Sequence, residues 1–281
     1  MLDQGTGSSR SNGLDKHVLS FYWDDFQPHL LFLDRVTGNV DSLPLERLAM
    51  EVGEGRTCVG RFDGELYVPC PSSRKVGRIT SCRECMAPWI PVQSCIFEPQ
   101  CSGDRCDHPE FCQRQHYVYL ASFSNMIKVG MTSVGRLRER AIEQGADAVR
   151  PLFMCRDRRE ARELEKETSR RFKIPQEVRA ARIAGTWTSP PSRSSIEHVQ
   201  DHYVRRIGRW KEPLNEDVVF LDQYPIKELP RTAPRPVVTA GKHQGKVLGI
   251  KGRYMMFRDE TGTSRLLDLS DLPSRNITVL E

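Results

Sequence analysis

Two sets of residues in this chain carry types and spacings that could do chemistry. The first is a run of cysteines, Cys82-x2-Cys85-x9-Cys95-x5-Cys101-x4-Cys106-x5-Cys112. Thiolates two residues apart can converge on one ion, and tetrahedral zinc needs a second pair brought back by a loop. The expected zinc ligands are therefore Cys82 and Cys85, with a second pair drawn from Cys101, Cys106 and Cys112. His108 and His116 would raise the ligand total far enough for two ions. Cys58 and Cys70, on the preceding strands, read either as buried thiols or as extra ligands, and Cys155 as a packed thiol in a later strand. A structural zinc site would fold a segment that has few aliphatic residues of its own.

The second set is polar. The stretch "YVYLASFSNMIKVGMT" (117–132) sets Tyr119, Lys128, Gly130 and Thr132 on two short apolar runs separated by Ser124-Asn125. Aromatic and β-branched content around a turn-forming pair reads as an antiparallel hairpin. Downstream, "SVGRLRERAIEQ" reads as a helix with Leu137 and Ala141 inward and Arg136 and Arg140 on a neighbouring face. The strand "RPLFMC" follows. A second helix, "RDRREARELEKETSRRF", is opened by Asp157 with Glu160 three residues on, a capping-box arrangement. Its apolar stripe is Ala161, Leu164, Thr168 and Phe172, and Glu165 falls on or beside it. Burying a carboxylate is costly unless it is paired or binds a cation, so Glu165 predicts either an arginine partner or a metal.

These elements sit in a chain of 281 residues, comfortable for two or three domains. The expected class is α+β, and its parts are a disordered head over 1–16, a β-rich region over 17–81 and a Cys-rich zinc segment over 82–115. A strand-strand-helix-strand-helix domain over 116–175 follows, then a helical and Pro-rich connector over 176–237 and a small β module over 238–281. No apolar run approaches the ~20 residues that cross a bilayer, and no signal pattern opens the chain, which reads as soluble and cytoplasmic. Between Lys128 and Lys211, 20 Lys/Arg stand against 11 Asp/Glu, a net of +9 in a chain whose total is +5. Clustered cationic charge suits a polyanion such as nucleic acid.

Over about 116–173 the order and spacing of these residues resemble the GIY-YIG nuclease superfamily. Tyr117-Val118-Tyr119 stands where Gly-Ile-Tyr would, and Lys128-Val129-Gly130 where Tyr-Ile-Gly would, as in the branch whose second motif begins with Lys. Arg136 matches the helix arginine, and Glu165 in "EARELEKE" matches the metal-holding glutamate. The Cys-rich segment running into "FCQRQHYVYLASF" is also similar to an uncharacterised prokaryotic family. The superfamily resemblance implies a three-stranded antiparallel sheet flanked by helices, and phosphodiester hydrolysis. Tyr119 would activate or position water, Arg136 would stabilise the transition state, and Glu165 would hold one Mg²⁺ or Mn²⁺. Lys128 would clamp phosphate or act as a base. Arg140 stands where many members carry His or Tyr, and Arg138 and Arg140 would contact nucleic acid. Two other readings use the same residues: a non-catalytic nucleic-acid binder, and an enzyme acting on a small anionic or nucleotide-like substrate.

Overall fold

The computed structural model describes residues 15–45, 48–77, 79–86, 95, 98–99, 101 and 109–280. Most of the expected head over 1–16, together with Cys106 and His108, lies outside the described residues. The class is α+β, with strands in the majority. Four strands open the chain, β1 (Lys16–Asp24), β2 (Gln27–Asp34), β3 (Val40–Pro44) and β4 (Leu48–Arg56), followed by a small hairpin of β5 (Arg61–Asp63) and β6 (Leu66–Val68). After the short helix α1 (Pro109–Gln113) come β7 (His116–Phe123), β8 (Met126–Ser133), α2 (Leu137–Gln144), β9 (Ala148–Cys155) and α3 (Arg158–Phe172). The connector holds α4 (Ala180–Thr186), α5 (Arg193–Gly208) and two-residue strands β10 (Val219–Phe220) and β11 (Arg235–Pro236). The chain closes with β12 (Gly241–Lys251), β13 (Tyr254–Arg258), β14 (Ser264–Asp268) and β15 (Arg275–Val279).

The strands at the two ends, expected as separate modules, share one nine-stranded sheet in the order β11-β14-β13-β12-β4-β15-β1-β2-β3. Strand β4 is bonded on one side to β12 and on the other to β15, so neither end has a complete sheet without the other. Among the described residues no helix is long and apolar enough to cross a membrane.

The second sheet has the order β10-β9-β7-β8 and is antiparallel throughout. Ser124, with φ of 57°, turns the expected hairpin, and its backbone N–H donates to Asp147 at 2.7 Å. Side chains alternate across the strands. Val118, Leu120, Ile127 and Val129 pack with Ala161 of α3 and Ile207 of α5 in one core. Tyr119, Ala121 and Phe123 face the other way, into a core shared with Trp23, Leu248 and Ala141 of α2. Strand β7 is therefore buried on both faces. The cap of α3 is as the sequence predicts at Asp157, whose carboxylate accepts from the Glu160 N–H at 2.8 Å; the Glu160 carboxylate reaches back to the Arg156 N–H at 3.0 Å.

The two sheets meet where the β12–β13 turn touches the end of α2. Gly252 there has φ of 56°, and a Cβ on it would lie 2.5 Å from the Gly145 nitrogen. Around this contact the Trp23 indole donates to the Gly252 carbonyl at 2.9 Å, Lys251 pairs with Asp147, and the Tyr224 hydroxyl donates to the Ala146 carbonyl at 3.0 Å. Gly252→Ala should therefore cost roughly 1–3 kcal/mol through overpacking, with further loss from the left-handed backbone. A lower urea midpoint is the expected result; an unchanged midpoint would mean that the junction carries no stability.

Candidate functional site

The cysteine cluster is built from strand ends. Cys58 follows β4, Cys70 follows the β5–β6 hairpin, and Cys82 and Cys85 lie in the loop beyond. Their four sulfurs lie within 4.8 Å of one another, a set that could bind a metal such as zinc. A tetrahedral Zn–S₄ site places sulfurs about 3.8 Å apart, and Cys70 Sγ and Cys82 Sγ are 3.9 Å apart. The Cys58 sulfur accepts backbone N–H groups from Gly60 at 3.4 Å and Cys82 at 3.2 Å, as a thiolate would. Burial pushes the Cys58 and Cys85 thiols up, and a bound cation is what would hold both as thiolates. His17 ties the cluster to the large sheet, with Nε2 3.3 Å from the Cys58 carbonyl and Nδ1 2.9 Å from Asn276 Oδ1.

Cys58 and Cys70, read from the sequence as buried thiols or extra ligands, join Cys82 and Cys85 in this cluster; Cys101 and Cys112 are buried outside it, and Cys106 lies outside the described residues. The sequence signal for this grouping is the even spacing Cys58-x11-Cys70-x11-Cys82.

The polar residues collect around Glu165. Its carboxylate is buried on α3, and Arg162 Nη1 donates to it at 2.6 Å, so the arginine partner is present. Burial raises the Glu165 carboxyl, and Arg162 and then Lys128 oppose that rise. A cleft of 380 Å³ opens above it, lined by Arg114, Arg136, Arg140, Arg158 and Arg162 beside His116 and Thr132. Arg136 is held by Glu139 at 2.6 Å and Glu143 at 2.7 Å, and Arg140 by Glu143 at 2.8 Å. Arg158 and Arg162 were not singled out by sequence, although "RDRREARELEKE" places them one helical turn apart on α3.

Tyr119 and Lys128 lie on the opposite strand face from the α3 core. Tyr119 is fully buried, with its hydroxyl shared with the Gln144 amide at 3.1–3.2 Å; burial pushes its phenol up to about 12. Its ring lies across Gly130, where a Cβ would come within 2.6 Å of it. Lys128 is half-buried and makes no hydrogen bond or ion pair among the described residues. Burial, and then the Arg140 charge, push its amine down to about 8. It lines a second cleft of 600 Å³ together with Arg140, Gln144 and Gln176, so Arg140 belongs to both clefts. Arg138 lines neither: it pairs with Asp25, and its guanidinium lies 5.0 Å from the centre of the Phe26 ring.

Residues 46–271 match the model of a family described as "Protein of unknown function (DUF2797)", and the chain belongs to that family. No curated protein and no solved structure matches it.

The cluster makes a direct prediction. Zinc that binds at these four sulfurs should be lost from Cys58→Ser and from Cys70→Ser, seen as a fall in zinc content and in thermal midpoint against the wild type. Retention of the full metal content in both variants would contradict the assignment of these ligands.

Proposed function

We propose that the chain is a phosphodiester hydrolase of GIY-YIG type acting on nucleic acid. The observation that carries this reading is a cleft lined by five arginines over one buried carboxylate, adjoined by a second cleft with a half-buried lysine that has no ion-pair partner among the described residues. Planar guanidiniums hold phosphate by paired hydrogen bonds. Two features of the fold support kinship with the superfamily. The elements run β7, β8, α2, β9, α3, and the register pairs Tyr119 with Gly130 across the hairpin.

In this reading Arg136, Arg140, Arg158 and Arg162 hold the phosphate oxygens and take up charge as the transition state forms. Lys128 lines the adjoining cleft, which Arg140 joins to this one, and as the neutral amine it accepts the proton of a water that attacks from that side. The new P–O bond forms as the bond to the leaving sugar oxygen breaks, and that oxygen is protonated from solvent. Tyr119, sealed by Gln144, positions the strand face rather than touching water. The resemblance implies a Mg²⁺ or Mn²⁺ at Glu165, which would neutralise the leaving oxygen. One carboxylate among guanidiniums suits an ion that enters with substrate phosphates rather than a resident one.

The sealed hydroxyl of Tyr119 favours one second reading, nucleic-acid binding without cleavage. The two separate in a cleavage assay with Mg²⁺ or Mn²⁺. Glu165→Gln should abolish cutting, and Lys128→Met should slow it by about 10²- to 10⁴-fold, the usual contribution of a positioned base. The base must be unprotonated, so the wild-type rate should rise with pH and level off above about 8. Equal cutting by Glu165→Gln, or a flat wild-type profile through that range, would defeat the hydrolase reading; binding without cutting under any metal would establish the second.

A further inference from the structure

The arginine cleft is lined chiefly by guanidiniums, and the larger cleft beside it has different chemistry. Its 600 Å³ is within the range of pockets that take nucleotide-sized ligands. One wall comes from the large sheet, where Phe21 is half-buried on the same strand face as Trp23, the rings 6.2 Å apart and edge-on. The other wall comes from the small sheet and the segment after α3, with Gln144, Gln176, Glu177 and Lys128. Amides and a carboxylate beside an aromatic ring match the face and edge of a nucleobase, which stacks through its π-surface and offers donors and acceptors at its rim.

The two clefts are connected by side chains as well as by position. Arg140 lines both. Gln176 lines the larger cleft while its Oε1 accepts from Arg162 of the arginine cleft at 2.8 Å, and its amide nitrogen has no protein partner among the described residues. Five guanidiniums also exceed what a single phosphate group can engage, which favours a strand over a free mononucleotide.

We infer that the larger cleft is a base subsite for a single-stranded nucleic acid, holding one unpaired base between Phe21 and the Gln144, Gln176 and Glu177 edge while the neighbouring phosphates lie in the arginine cleft. The inference rests on the reading of the arginine cleft as a phosphodiester site. A base within a duplex has its edge occupied by its partner, and it cannot enter this cleft without being unpaired.

The test is fluorescence anisotropy with the full chain, without added divalent metal, using a short labelled single strand and the blunt duplex of the same sequence. The single strand should bind at least about 10-fold more tightly, and Phe21→Ala and Gln176→Ala should each reduce that preference by roughly 10-fold, the scale of one lost stacked base. Gln176→Ala, a half-buried side chain on the wall opposite Phe21, guards against a folding defect in Phe21→Ala, which circular dichroism checks. Equal affinity for both nucleic acids, or a preference intact in both variants, would overturn the base subsite while leaving the phosphate cleft standing. Failure of both nucleic acids to bind at all would overturn both.

Discussion

The constraint on which the molecule depends is the position of β4 between β12 and β15. A strand from the first quarter of the chain completes its hydrogen bonding only with strands from the last, so the intervening segment is closed into a loop anchored at both ends. That closure has two consequences. Cys58 leaves the end of β4 in a fixed direction, and its partners gather where the sheet ends. On the other side, the β12–β13 turn is pressed against the end of α2, and the Gly145–Gly252 approach, too close for any side chain, registers the small sheet on the large one. The larger cleft exists because of that registration, since its two walls come from different sheets.

The arginine cleft is held in balance by weak partners. Arg136 and Arg140 are tied to Glu139 and Glu143, which are partly exposed, and such pairs are worth at most about 1 kcal/mol each. Hydrogen bonds from charged donors to a buried anion are worth about 1.5–3 kcal/mol each. A phosphate can therefore displace the glutamates from these guanidiniums without a large cost. Glu165 is different. It is buried, and Arg162 is its hydrogen-bonded counter-charge, so its burial is tolerated because that guanidinium is beside it. The same arginine also reaches Glu98 and Gln176, which makes it the centre of the local network.

Much of the small sheet was legible in the sequence, because its signals are local. Aromatic and β-branched runs around Ser124-Asn125 specify a hairpin, Asp157 caps a helix, and a carboxylate on an apolar stripe marks Glu165 as requiring a partner. The joining of the two chain ends was not legible. Strand pairing between β4 and β12 leaves no periodic trace in either segment, only two runs that each look like separate modules. The cysteine cluster divides in the same way: its CxxC pair, Cys82 and Cys85, is a local signal, whereas Cys58 and Cys70 reach that pair through tertiary folding. Arg138 shows the limit of reading one helix by itself: its neighbours Arg136 and Arg140 line a cleft, and it turns instead to Asp25 and Phe26 of the large sheet.

The central claim is that several guanidiniums of one cleft neutralise backbone phosphates together. The salt dependence of single-strand binding measures this directly, because log Kd against log salt falls on a line with slope set by the number of phosphates neutralised, about 0.7 per contact on a single strand. Contacts from most of the five arginines predict a slope near 3, and Arg158→Ala should lower it by about 0.7. A slope near zero, or one unchanged by removing Arg158, would contradict the claim.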